Sequence, residues 1–375
     1  MNIWKQLQER KKLIKAFKKS GLYLGNEQNY IFPKIHSIST EQITFTLPTG
    51  LDPSLIKKNF YVFKQIYGEH VEIKGMTKTF TLYLSTLPKE IPYNYELYNI
   101  KKYKLPIVAG MGHNKKFIIY DMVEYPHLLI AGETGSGKST QLRSVLTTLI
   151  KALSPGQLEL YLCDLKRSEF HLFRHIKHVK GPFITVTDIL PPLEHIRLEM
   201  QKRGNLLDQH EVAHIDDLPI KLPYLILCID EVALLQKEKR IMEIVEEISS
   251  IGRALGVFLI LSMQRPDSKV LDGKLKVNLT VRMGFKTADK INSRIIGTPG
   301  SEKIKDVGKF LLKIPLSDEP IEVLAPFLPL EQAKHILTSY KSDTGKTSNL
   351  SRIDFKKSVI DLQEFTKDVF GVLDE

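Results

Sequence analysis

The sequence predicts an α/β fold: a mostly parallel sheet built around a phosphate-binding loop, preceded by a small α+β domain. Three observations lead there. Apolar strand candidates alternate with helical stretches from about residue 106 to residue 330, the signature of βαβ units with both sheet faces covered. A glycine-rich run, "GETGSGKS", stands where one of those strands gives way to a helix. Ahead of them, short period-2 segments enclose a single helical stretch, which is a different pattern from the rest.

In chain order, residues 1–24 read as a basic amphipathic helix closed by Gly21, with Ile3, Leu7, Ile14 and Phe17 on one face. Three uses stay open for it: packing on its own domain, contact with a partner, or peripheral membrane contact through residues 1–20. Residues 25–90 form the small α+β domain. Its strands are "EQITFTLP" and "TKTFTLYLS", and its helix is "DPSLIKKNFYVFKQIYG" with Asp52 at the cap and Pro53 in the first turn. Residues 91–105, rich in Pro and Tyr, read as a linker. The main domain spans 106–330, with strands "HLLIAG", "LELYLCD", "PFITVT", "YLILCIDE", "VFLILSM" and "LTVRMGF". Residues 331–375 hold C-terminal helices and a polar linker, "KSDTGKTSNLSR", the last amphipathic helix running from about Asp354 to Leu373.

Composition narrows the classes. Hydrophobic residues make up 42% and charged residues 26%, which is ordinary for a soluble protein. No run approaches the length of a membrane-spanning helix. The two cysteines, Cys163 and Cys228, lie inside apolar runs and read as buried thiols in a reducing cytosol. The net charge of +11 is unevenly spread. Residues 1–105 carry 17 Lys and Arg against 8 Asp and Glu, a net of +9, leaving +2 for the remainder. A basic first third points to an acidic partner, nucleic acid or an anionic membrane.

The loop Gly132–Ser139 fits G-x-x-x-x-G-K-[ST] between a strand and a helix, the context the motif requires. Gly135 and Gly137 let backbone N–H groups turn around phosphates, Lys138 supplies a cation to the β- and γ-phosphates, and the Ser139 hydroxyl suits Mg²⁺. The candidate nucleotide-binding set is Gly132, Glu133, Thr134, Gly135, Ser136, Gly137, Lys138, Ser139 and Thr140. At the end of "YLILCIDE", Asp230 is the second candidate Mg²⁺ residue and Glu231 the candidate for polarising water. An adjacent glutamate favours hydrolysis over phosphoryl transfer, so the expected ligands are ATP and Mg²⁺ and the expected activity is an ATPase. Gln264, at the end of "LILSMQ", stands where RecA-type ATPases place a polar sensor of the γ-phosphate.

With these strands identified, residues Leu105 to Phe327 resemble the FtsK/SpoIIIE family of DNA translocases. The resemblance rests on six segments in order. They are "PHLLIAGETGSGKS"; "LYLCDLKRSEF", through Asp164, Lys166 and Glu169; "EHIRLEMQKRGNLL", through Glu199, Met200 and Arg203; "LCIDEVALL"; "GRALGVFLILSMQRPDSKVLDGKLKVNL"; and "NSRIIG". It implies a RecA-like P-loop ATPase that assembles as a ring, a hexamer, around double-stranded DNA. It further implies an arginine given in trans to the γ-phosphate, Arg253 first and Arg294 second. Pore-lining DNA contacts fall to Lys269, Lys274 and Lys276, where lysine suits sequence-independent phosphate contact.

Chromosome translocases of the family add membrane helices and a C-terminal winged helix, and the sequence reading expects neither here. The expectation is therefore a compact, cytoplasmic DNA translocase for plasmid or mobile-element transfer or partition, recruited to the membrane by a partner. A relaxase or another transfer or replication protein is the partner class implied. The competing reading is an FtsK-like adaptor or protein-export motor acting on a polypeptide.

Overall fold

The computed structural model describes residues 3–26, 29–68, 71–84, 87–113, 115–271, 273–317 and 319–342. The helix expected from Asp354 to Leu373, and all but the first two residues of the polar linker before it, lie outside the described residues. The chain divides into two units: Met1–Pro88 with Met111–Lys116, and Lys89–Gly110 with Phe117–Glu375.

The first unit begins with helix α1 (Ile3–Lys19), which stops at Gly21 in the left-handed region, φ +67°. Its four strands, β1 (Lys34–Ile38), β2 (Gln42–Thr46), β3 (Glu72–Gly75) and β4 (Thr79–Tyr83), make an antiparallel sheet in the order β1-β2-β4-β3. The predicted apolar face of α1 needs correction. Leu13, Ala16 and Phe17 are buried, Ile14 is half-buried, and Ile3 and Leu7 are exposed. Phe17 sets the phase, edge-on to Phe45 at 4.9 Å and to Phe63 at 6.3 Å. Leu13 then follows at i−4, and Leu7 falls roughly 80° off that line at about 100° per residue. The predicted single helix is two, α2 (Ser54–Lys58) and α3 (Phe60–Tyr67). Asp52 does accept the Ser54 N–H at 2.8 Å, but Asn59 breaks the run, its amide donating to the Ser20 carbonyl at 2.8 Å.

The second unit comprises β5 (Ile91–Pro92), β6 (Pro106–Gly112), β7 (Phe117–Asp121), β8 (Leu128–Ala131), α4 (Lys138–Ala152), β9 (Leu158–Asp164), β10 (Val179–Phe183) and α5 (Val186–His210). It continues through β11 (Tyr224–Asp230), α6 (Lys239–Ile251), β12 (Val257–Met263), α7 (Gly273–Asn278), β13 (Val281–Gly284) and α8 (Lys290–Ile296). It closes with β14 (Lys309–Lys313), β15 (Ile321–Leu324), β16 (Pro326–Phe327) and α9 (Leu330–Thr338). A ten-stranded sheet runs β10-β9-β11-β12-β8-β13-β14-β15-β6-β7. From β10 to β13 every neighbouring pair is parallel, and β14 and β15 add on antiparallel. Strands β8, β11 and β12 are buried along their whole length, hence their unbroken apolar sequences.

Two sequence expectations shift here. "PFITVT" is only partly strand: Thr185 accepts the Asp188 N–H at 3.2 Å and starts α5 at Val186. The stretch 91–105 is no free linker, since Tyr93, Tyr98, Ile100 and Leu105 are buried in the second unit's core and β5 pairs with β16. Among the described residues no helix is long and apolar enough to cross a membrane.

Candidate nucleotide site

Strand register brings the site together. Asp230 of β11 is level with Asp164 of β9, and Ile229 is level with Leu261 of β12, so Asp164, Asp230 and Ser262 close three neighbouring parallel strands. Met263 is level with Ala131 of β8, after which the phosphate loop begins. Ligands of open α/β sheets collect at this C-terminal edge.

The loop is shaped from several sides. Glu133 N–H donates to the Lys286 carbonyl at 2.8 Å, the Ser136 hydroxyl to the Glu133 carbonyl at 2.7 Å, and Gly308 N–H to the Ser136 carbonyl at 2.9 Å. Gly137, at φ +105°, precedes Lys138 at the start of α4, and a Cβ there would lie 2.8 Å from the Gly308 backbone. Gly135, at φ +79°, has open space around it, and Thr134 beside it is exposed. Gly132 lies against Phe285, and Ser139 and Thr140 are half-buried at the first turn of α4.

Lys138 is 5% exposed. Its ammonium donates to the Ser262 hydroxyl at 2.8 Å and lies 3.4 Å from Asp230 Oδ1, which in turn accepts from Ser262 at 2.9 Å. The hydroxyl of Ser139 and the carboxylate of Asp230 are hard oxygen donors and fit Mg²⁺.

Glu231 follows in a left-handed backbone conformation, φ +60°, a strained place for a non-glycine residue. Its carboxylate is buried and held by two donors through three contacts. Lys166 Nζ lies 2.7 Å from Oε2, and the Gln264 backbone N–H is 3.1 and 3.2 Å from the two oxygens. Lys166 reaches it from a loop fixed by Asp164, which accepts the N–H groups of Ser168, Glu169 and Phe170 at 3.1, 3.0 and 2.9 Å. Beside these groups lies an open cleft of about 570 Å³, lined by Glu133, Thr134, Gln264, Arg265, Asp289 and Asn292.

Arg203 of α5 is buried, and its fork donates to the carbonyls of Leu255 at 2.8 Å and Pro223 at 2.9 Å and to Glu199 at 3.1 Å. It thereby pins the turn that carries Arg253. Arg253 is exposed, with Nε on the Val123 carbonyl at 3.1 Å. It precedes β12, whereas the phosphate loop sits at the other end of the parallel strands, roughly 20 Å away at ~3.3 Å per residue.

A match to the FtsK/SpoIIIE family covers residues 96–221. The chain carries an FtsK/SpoIIIE-family P-loop ATPase domain. Among curated relatives it is 33% identical over 255 residues to DNA translocase FtsK of Borreliella burgdorferi, covering 64% of this chain and 32% of that one. It is 32% identical over 259 residues to DNA translocase FtsK of Helicobacter pylori, covering 66% and 31%. The chain thus spans about a third of the length of these relatives. Among solved structures, the pCW3 conjugation coupling protein TcpA superposes with a TM-score of 0.63 at 23% identity, over 87% of this chain and 98% of that one. The type VII secretion ATPase EccC of Thermomonospora curvata gives 0.58 at 24% identity, over 66% and 32%. At these identities the two superpositions speak to fold.

The remaining sequence candidates of the FtsK/SpoIIIE-type domain are placed unequally. Lys269 and Lys274 are exposed, on the turn before α7 and at its start. Lys276 is half-buried and donates to the Arg294 carbonyl at 3.1 Å. Burial, with the Arg282 guanidinium nearby, lowers its pKa. Lys276 is thus tied to α8 rather than presented outward, and Arg294 is exposed on that helix. Sequence reasoning missed Ser262, although it is the lone polar residue of β12. It also missed Gly308, which supports the loop from the antiparallel strands, and it gave Lys166 and Arg203 no role.

Proposed function

We propose that this chain is an ATP-driven motor that moves along double-stranded DNA as a ring of identical subunits, serving plasmid or mobile-element transfer or partition. The observation that carries the reading is the Lys138–Ser262–Asp230 cluster with Glu231 beside it, inside a domain whose relatives are named DNA translocases. Lys138 offsets charge on the β- and γ-phosphates. Ser139 and Asp230 would hold magnesium, which would supply positive charge against that developing on the phosphates. Glu231 Oε accepts a proton from the attacking water and orients it towards the γ-phosphate. Gln264, whose N–H already holds Glu231, senses the γ-phosphate. Arg253 lies too far from its own loop to act there and serves a neighbouring subunit's nucleotide.

Lys269 and Lys274 grip the DNA backbone, with a relaxase or other transfer protein as a further partner. The transfer role is taken from the conjugation coupling protein TcpA, whose fold this chain shares over 98% of that chain. The test is ATP turnover with and without linear duplex, beside Glu231→Gln. Stimulation by duplex, lost in the variant, is expected. Turnover indifferent to DNA refutes the motor reading and favours the polypeptide-directed adaptor or export motor.

A further inference from the structure

Helix α1 carries two sets of apolar residues, one buried in its own unit and one largely exposed. Leu13, Ala16 and Phe17 are buried. Ile3, Trp4 and Leu7 are 73%, 76% and 49% exposed. At about 100° per residue the exposed set is centred roughly 130° around the helix from the buried set. Ile3 nevertheless falls only about 40° from buried Phe17, so the exposed set is distinguished chiefly by its place in the first two turns of the helix, ahead of the buried residues.

The exposed face continues into charge. Ile3, Leu7, Lys11, Lys15 and Lys19 form one row at four-residue spacing, with Arg10 exposed beside it. The helix holds seven Lys and Arg against one Glu, and that Glu9 is paired with Lys12 at 2.9 Å. Two apolar turns followed by a cationic row on the same side match the two layers of an anionic bilayer surface, acyl boundary and phosphate headgroup. Duplex DNA would engage the lysines but would leave Ile3, Trp4 and Leu7 facing phosphate and water. Tryptophan is at home at a headgroup interface, where its ring has both apolar and polar surroundings.

We propose that α1 docks on an anionic membrane surface, with Ile3, Trp4 and Leu7 entering the interface and Lys11, Lys15 and Lys19 on the headgroups. This is independent of the motor reading, since it uses no residue of the nucleotide site.

The chain supplies its own probe, because Trp4 is its single tryptophan. Full-length protein is titrated with phosphatidylcholine vesicles containing the anionic lipid phosphatidylglycerol. A blue shift of Trp4 emission is expected, lost with pure phosphatidylcholine and reversed by salt. Co-sedimentation should fall about tenfold or more in Leu7→Ser and in Lys11→Glu/Lys15→Glu, whose exposed positions leave the melting curve unchanged. The proposal is overturned by three results: no shift with anionic vesicles; the same shift on adding duplex DNA, with DNA displacing the vesicles; or a concentration-dependent shift without lipid, which assigns the face to self-association.

Discussion

Replacing Arg203 with methionine removes a guanidinium and keeps most of the aliphatic volume. The structure allows the cost to be worked out. Two carbonyls, Leu255 at 2.8 Å and Pro223 at 2.9 Å, lose their donor in a site where the arginine is 1% exposed. A stranded buried acceptor costs ~1–3 kcal/mol. The Glu199 carboxylate, partly reached by solvent, loses its ion pair and adds a smaller amount. The total is about 3–5 kcal/mol, in the range for breaking a buried pair from one side. At ~2–4 °C per kcal/mol for a domain of this size, the melting midpoint of the second unit should fall by roughly 6–20 °C. Differential scanning calorimetry reads this directly, and far-UV circular dichroism follows the same helices. Arg203→Lys should recover less than half of the loss, because an ammonium cannot span the forked geometry. A fall below about 2 °C for Arg203→Met, smaller than one stranded carbonyl predicts, would refute the reasoning and mean that other donors reach Leu255 and Pro223.

Lys166→Met deletes the 2.7 Å charge-assisted bond to Glu231; turnover should drop about tenfold with KM for ATP nearly unchanged, since one such bond is worth ~1.5–3 kcal/mol and Lys166 is partly exposed. An unchanged kcat would show that Gln264 N–H alone positions the carboxylate. Burial depresses the His127 pKa to about 4, and its Nδ1 accepts the Leu259 N–H at 3.0 Å, so the folded state keeps the ring neutral. Unfolded chains bind this proton near pH 6.5, so the contribution is full above that pH and is lost as pH falls towards 4, by at most about 3 kcal/mol. Denaturant titrations at pH 7.5 and 5 check it: His127→Gln should flatten the dependence, and an equal slope in the variant contradicts it. Lys269→Ala/Lys274→Ala should weaken duplex binding and lower the salt slope by roughly 1–2 if both meet phosphates, measured by fluorescence anisotropy. An unchanged slope removes them from the DNA surface.

The parallel half of the sheet was legible because buried parallel strands are written as unbroken apolar runs, as "YLILCID" and "VFLILSM" are. The antiparallel extension was not. Strand β14 alternates half-buried and buried residues over only five positions, and β7 is largely half-buried, so neither stands out from loop sequence. Within the candidate nucleotide site, the run from Gly132 to Ser139 is legible because phosphate binding would demand a fixed local spacing. Lys166 and Glu231 are 65 residues apart in sequence, and their 2.7 Å contact exists only because β9 and β11 are level at Asp164 and Asp230. Local periodicity cannot show a pairing between strands. In α1 spacing alone does not say which apolar residues its own core takes: Leu13 and Phe17 are buried, whereas Ile3 and Leu7 are exposed.

The approach of Gly308 to Gly137 has a consequence for how this sequence can drift. Each position is left-handed, at φ +82° and +105°, and a methyl on Gly137 would run into the backbone of Gly308. The conflict is with main chain, so no change of rotamer relieves it. In a saturation library Gly137 should not tolerate even alanine, and no second substitution at Gly308 should restore tolerance. A loop insertion between β13 and β14, far from any phosphate in sequence, would then silence the nucleotide loop as surely as a change within it.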